Sequence, residues 1–235
     1  MHCNWTRRVV FALLLLPLAT VELFAQATDT RPGVAVFPFT NGGSFGPDRE
    51  DLAPLEVGIQ QLVLTELAQN TNLRVVERSQ LRAILEEQGL VRTGQVDPGT
   101  AARIGRLVGA RYAVTGVFMD LYGNFRLDGR IINVETGEVM QPVELRNRKE
   151  NLYEMLVDFA NEITEGIDLP PLEVALVQER RSRAIPPEAV TMFSRAQVFQ
   201  DGGRQEQAIE LYRQIAERFP EMTEAREALR QLTGS

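Results

Sequence analysis

The chain has 235 residues, with 25 lysines and arginines against 32 aspartates and glutamates, a net charge of −7, and one histidine and one cysteine. Those two are His2 and Cys3, so once an N-terminal leader is removed no imidazole or thiol remains, which excludes Ser–His and Cys–His catalysis, thiolate chemistry, ordinary zinc sites and disulfides. Lys149 is the only lysine and the arginines are scattered, so the basic stripe that marks a nucleic-acid partner is missing.

Arg7 and Arg8 precede an apolar run from Val9 to Leu18, and Ala25-Gln26-Ala27 supplies small residues for cleavage. That pattern predicts a secretory signal peptide over residues 1–27; the other reading is a retained anchor, although the run is shorter than the roughly 20 residues a span needs. Thr28 stands where lipoprotein processing requires cysteine, so no lipid anchor is expected.

Gly33 to Phe39, GVAVFPF, is a nearly continuous apolar run, the pattern of a central strand covered on both faces. A turn-rich loop, TNGGSFGPDRED, leads to Leu55, Ile59, Leu62, Val63 and Leu67 at helical spacing. Leu73 to Val76 reads as the next strand, and Ser79 as the cap of a helix carrying Leu81, Ile84 and Leu85 to a stop at Gly89. Strand, helix, strand implies a parallel pair with a right-handed crossover. Asp97 before Pro98 reads as an N-cap with proline in the first turn, opening a short buried stripe of Ile104, Leu107 and Val108 that ends at Gly109.

Tyr112 to Met119 starts a meander, with turns at Leu121 to Asn124 and at Glu135 to Glu138. In its second strand Phe125, Leu127, Gly129 and Ile131 share one face while Arg126, Asp128 and Arg130 share a wet one. Leu152, Leu156, Phe159, Ile163 and Ile167 line a further helix, closed by Pro170-Pro171. The fold class is therefore α/β: a mixed sheet, parallel at its start and then an antiparallel meander, covered mainly on one side by helices, plus a small C-terminal helical module. The domains run 28–170, a charged connector with helical potential at 171–187, and the module at 188–235, whose helices are predicted at Ala189 to Gln200, Gln205 to Arg218 and Met222 to Leu232.

VAVFPF, VVERSQLRAILEEQGL, DPGTAARIGRLVGARYAVTGVF and GRIINVETGEV, in that order and spacing, resemble the CsgG family, the periplasmic domain of the curli secretion channel and its relatives, over about residues 32 to 168. The resemblance extends, less tightly, to lipoprotein activators of peptidoglycan synthases and to the N-terminal domain of the Tol translocation protein. It implies no enzymatic activity and work by binding envelope proteins or by assembly. The lipidated cysteine and the membrane-barrel strands of the curli channel itself are not seen, and the hairpin from Tyr112 to Asn133 is consumed by the domain's own sheet, so pore formation is not expected. In the VVERSQ block, Glu77, Arg78, Glu86 and Glu87 form either a solvated helix face or a face that pairs with a neighbour.

The C-terminal hairpin resembles one tetratricopeptide repeat, with Ala196 and Ala208 where small residues are wanted, Phe199 and Tyr212 as the aromatics, Gly203 at the turn and Pro220 at the end; Arg195 and Ile215 depart from the pattern. A single repeat cannot close a core, so it must lean on the last helix, on the first domain or on another chain. As a repeat it would present Val190, Phe193, Gln197 and Gln200 to a partner; alternatively Val190 and Phe193 are simply buried.

No cofactor, metal or catalytic residue is expected. The Gly42-Gly43-Ser44-Phe45-Gly46 loop lacks the lysine that completes a phosphate loop, and Asp48, Glu50 and Asp51 lack the spacing of a calcium loop. The expected function is a non-catalytic periplasmic adaptor, outer-membrane association being compatible with it, that assists assembly or secretion of envelope components. Its expected partners are envelope or secreted proteins, or a second copy, with no nucleic acid and with membrane association only through partners. The alternatives are a ring-forming subunit of a curli-type export complex and a hydrolase acting on glycans through a carboxylate pair.

Overall fold

Alternation decides how the first strand is used. In a computed structural model that describes residues 29–46, 52–90 and 96–234, β1 (Gly33–Val36) sends Val34 and Val36 into one core, and Ala35, with Phe37 just beyond it, into a second core on the opposite face. β1 is interior, parallel to β3 (Arg74–Val75) on one side and to β4 (Tyr112–Leu121) on the other. β2 (Thr40–Asn41) also pairs with β4, and β5 (Asn124–Asn133) and β6 (Val139–Arg148) complete the meander in the order β3-β1-β4-β5-β6. This is the mixed sheet expected, parallel at one end and antiparallel at the other.

Helices α2 (Arg78–Glu87) and α3 (Pro98–Leu107) pack on the smaller core around Ala35, Phe37, Val76 and Ile132. Asp97 caps α3 as expected, its carboxylate accepting from the Thr100 N–H at 3.0 Å and the Thr100 hydroxyl at 2.6 Å. Two expectations fail here. Ser79 is not the cap of α2, which begins at Arg78 after an uncapped Glu77, because Arg78 is anchored from outside the helix (see below). Leu107 is 55% exposed rather than buried, since it lies off the stripe of Ala101, Ile104 and Val108 that faces the sheet.

The larger core lies on the opposite face, under α1 (Leu55–Leu67) and α4 (Leu152–Gly166). Two glycines face each other across β4 and β5, Gly116 and Gly129, and onto them lie the rings of Phe39 and Phe159, whose centroids are 5.6 Å apart in an edge-on pair. A Cβ at either glycine would fall within 2.1 to 2.3 Å of a ring carbon, so the two rings occupy space that only glycine leaves.

α5 (Val174–Arg181), α6 (Pro187–Asp201), α7 (Gln205–Arg218) and α8 (Thr223–Thr233) follow, with α5 inside the charged connector. Arg31–Ser235 form one compact unit. Of the three supports open to the C-terminal hairpin, it uses two: α8 packs on α7, and α6 crosses α1 so closely that a Cβ on Gly58 would lie 2.9 Å from the Ser194 Cα and nearer still to its side chain. α1 is consequently enclosed on both sides. Beyond the predicted stripe it also buries Gln60, Leu64 and Glu66.

Glu66 is the charge such a helix must neutralise. Arg180 from α5 binds it with two hydrogen bonds, and also donates to Glu224 of α8 at 2.8 Å and to the Tyr153 hydroxyl of α4 at 3.1 Å. Tyr153 in turn donates toward Glu66 at 2.9 Å, and Arg183 reaches Glu224 at 3.2 Å. Glu66, Arg180 and Glu224 are nearly fully buried, and among the described residues the Glu224 Oε2 has no hydrogen-bond partner. Burial opposes the Arg180 charge, but the bonds and charge of Glu66 outweigh it and hold the guanidinium above its ordinary range. Burial, reinforced by Glu66 and Glu224, pushes the Tyr153 phenol well above the usual tyrosine range, and burial does the same to Tyr212.

Three outcomes follow from this packing. Gly58→Ala is expected to cost about 1–3 kcal/mol by overpacking, measured by urea denaturation, and to be non-additive with Ser194→Gly because the two positions share one contact. Arg180→Met is expected to cost about 3–5 kcal/mol by leaving Glu66 buried without its cation and Glu224 with Arg183 alone, whereas adding Glu66→Met and Glu224→Leu recovers most of the loss. Because the folded state retains phenol protons that the unfolded chain releases above about pH 10, denaturation series should show stability declining as pH rises past that value.

Candidate interaction surface

The residues expected to face a partner are placed inside. Val190, Phe193 and Gln197 are buried and Gln200 is half-buried. Val190 and Phe193 join the core around α1, with the Phe193 and Tyr212 rings 5.7 Å apart. The two glutamines belong to a polar chain: Gln197 Nε2 donates to the Tyr212 hydroxyl at 2.7 Å, which donates to Gln200 Oε1 at 3.0 Å. Arg78, at the start of α2, donates to Gln197 Oε1 at 2.5 Å and to Gln61 Oε1 at 3.0 Å, and is paired with Asp201, which Arg82 also reaches at 3.1 Å. The concave face is thus consumed by the chain's own α1, α2 and α7. Of the charges in the VVERSQ block, Arg78 is used internally while Glu77, Glu86 and Glu87 stay exposed.

What remains outward lies at the other end of the molecule's logic, on the meander. β4 and β5 are joined by Tyr122 and Gly123, both at positive φ (55° and 86°), the pattern of a type I′ turn. Asparagine or glycine normally fills the first of these positions, and a bulky residue there is strained. Tyr122 is 77% exposed, beside Phe45 at 57% and Leu121 at 42%. The group is held rigidly from behind. Phe45 N–H donates to the Asp120 carbonyl at 2.8 Å and Tyr122 N–H to the Phe45 carbonyl at 3.1 Å. The buried Asp120 carboxylate accepts from the Gly123 N–H at 2.7 Å and pairs with Lys149 at 3.4 Å, while its own N–H donates to Ser44 Oγ at 2.9 Å. Ser44 is itself fixed by Asn41 Oδ1, which accepts from the Ser44 N–H and hydroxyl and from the Gly43 N–H. The GGSFG loop therefore positions an aromatic side chain. Asp48, Glu50 and Asp51 fall outside the described residues, as do residues 1–27, where a leader is expected.

The wet face of β5 is present as read. Arg126 and Asp128 are half-buried and Arg130 exposed, on a groove of about 610 Å³ floored by Thr115 and Val117 of β4 and edged by Glu144 of β6. Cross-strand register puts Asp128 opposite Glu144 and Arg126 opposite Arg146, like charges directly facing. The pairs that relieve this are diagonal or within a strand: Arg126 to Asp128 at 2.8 Å, Arg126 to Glu144 at 3.3 Å and Arg146 to Glu144 at 2.5 Å. The hydrogen bond that Arg126 donates to Asp128 raises the Arg126 pKa above the usual value. Sequence reading found the wet strand but missed the tip; tyrosine before glycine in a two-residue turn was the available signal.

Residues 24–126 match the family model described as "Curli production assembly/transport component CsgG", a shorter stretch than the 32–168 over which the resemblance was drawn. No curated protein matches the sequence. Similar solved structures include the LpoB C-terminal domain from Escherichia coli, at 20% identity, 53% of this chain, 88% of that chain and a TM-score of 0.40. TolB from Acinetobacter baumannii is similar at 15% identity, 59% of this chain, 29% of that chain and a TM-score of 0.41. The PelC dodecamer from Paraburkholderia phytofirmans is similar at 12% identity, 60% of this chain, 89% of that chain and a TM-score of 0.37. The stretch that resembles the CsgG family model, residues 24–126, runs from the start of the sheet through the hairpin tip and into β5.

Proposed function

We propose that this chain is a non-catalytic, exported protein of the cell envelope that works by binding another envelope protein. The observation that carries the reading is the hairpin tip: three large apolar side chains, Phe45, Leu121 and Tyr122, exposed together on a backbone braced by Asp120, Ser44 and Lys149. Rigid aromatic groups of this kind bind with little loss of conformational freedom, which is why they recur as anchors at interfaces. The family match over residues 24–126 supports an envelope role. Chemistry points the same way. Beyond position 3 there is no histidine or cysteine, and the buried carboxylates Glu66 and Glu224 are committed to Arg180 instead of facing a cleft.

A photo-reactive residue in place of Tyr122, irradiated in intact envelopes, is expected to give one discrete cross-linked protein, while the same residue in place of the exposed Arg213 of α7 gives none. Turnover of purified cell wall or of any other substrate by the isolated protein would overturn the proposal, and a large symmetric ring on sizing would favour an export channel. Tyr122→Asn separates strain from purpose. It suits the turn, so stability should rise by about 0.5–1 kcal/mol, while cross-linking from a probe at Phe45 should fall.

A further inference from the structure

β6 ends the sheet, and its outer edge is shaped by its own sequence. The Lys149 N–H donates to the Gly123 carbonyl, and since strand residues alternate in direction, Val143, Leu145 and Asn147 bond toward β5. The backbone groups of Pro142, Glu144, Arg146 and Arg148 therefore point outward. Two of these four positions are closed to a neighbouring strand. Pro142 has no N–H, and the Arg148 N–H donates to the Asn147 side chain at 2.8 Å. The register shift between Ile131 and Ile132 further interrupts the strand before Gln141. Between the two closures lie the N–H and C=O groups of Glu144 and Arg146, with no partner among the described residues.

We propose that this short edge pairs antiparallel with the same edge of a second copy, about a two-fold axis at Leu145. In that register Glu144 of each copy faces Arg146 of the other and the pair exchanges both backbone hydrogen bonds, giving four in all, and the half-buried Leu145 side chains meet across the axis. The charges select this register over its neighbours. Centring the axis on Glu144 puts two carboxylates opposite each other, and centring it on Arg146 puts two guanidiniums opposite each other. They also account for the like-charge rows on the open face. Asp128 and Glu144 face each other within the chain, as do Arg126 and Arg146, so each row ends at the edge with one sign of charge, and the second copy continues it with the other sign. Opposite charges directly across a sheet are favourable and like charges are not. The interface is isologous and closes on itself, so it yields a dimer and no filament.

Sedimentation equilibrium of the purified protein over a concentration series up to the millimolar range tests this. Dimerisation is expected for the native chain. Glu144→Arg is expected to weaken it by about tenfold or more, since two symmetric rows change from opposite to like charge. The double variant Glu144→Arg with Arg146→Glu is expected to return it to within a few-fold of the native value, which a merely structural role for either residue would not produce. Arg146→Pro removes an outward N–H that the monomer does not use, so thermal unfolding should stay intact while dimerisation is lost. A chain that remains monomeric throughout the series overturns the proposal, and so does a dimer that Arg146→Pro leaves unchanged.

Discussion

The enclosure of α1 is the constraint from which the remaining architecture follows. A helix lying between a sheet and another helix has no wet side, yet this one carries Glu66. A buried carboxylate without a partner is too expensive to keep, so the cation has to be supplied, and Arg180 supplies it from a segment whose composition is that of a connector. Glu224 from α8 and Tyr153 from α4 also accept hydrogen bonds from the same guanidinium. Four helices are thereby fixed to one point. Any other docking of α5 or α8 strands a buried charge at a cost of about 3–5 kcal/mol, whereas hydrophobic packing alone tolerates sliding. The lone Glu224 Oε2 shows that even the chosen arrangement is not fully satisfied.

A second polar connection works at the opposite end of α6. Arg78 and Arg82 of α2 hold Asp201, and Arg78 also engages Gln197 and Gln61. Through it, a helix covering one face of the sheet is linked to helices covering the other. That is why Gln197 and Gln200 are unavailable to a partner, and why α2 starts where it does without a side-chain cap. The VVERSQ block passes abruptly from strand to helix because its first helical residue is fastened from outside.

Local signals were sufficient for much of the fold. The nearly continuous apolar run from Gly33 to Phe39 predicted a strand covered on both faces, the Asp97-Pro98 pair predicted the start of α3, and Gly89 and Gly109 predicted two helix ends, where each adopts a positive φ. What could not be read locally depends on distant residues. Glu66 looks like an ordinary exposed helix position until Arg180, 114 residues away, is brought to it. Val190 and Phe193 have the spacing of a concave repeat surface, and only the close approach at Gly58 and Ser194 shows that α1 occupies the space. Leu107 has a spacing compatible with burial, yet it lies off the stripe of Ala101, Ile104 and Val108 that meets the sheet. Tyr122 is a different case. Its position before a glycine, in a turn that leads into an alternating strand, is a local anomaly visible in the sequence.

The places where local rules are broken are not spread evenly. On the face covered by α1 and α4 the rules hold, with glycines opposite glycines under aromatic rings and apolar residues meeting apolar ones. On the meander they fail together: a tyrosine in a turn that favours asparagine, exposed aromatics beside it, and carboxylate opposite carboxylate next to arginine opposite arginine. Each failure costs stability by itself, of the order of 1 kcal/mol, and none is required by the core. A chain selected only for folding would lose nothing by replacing Tyr122 or by exchanging Glu144 and Arg146. Sequences depart from local consistency chiefly where another demand competes with folding. Here that demand falls on the exposed side of β4, β5 and β6, and the helices serve to hold that side in place.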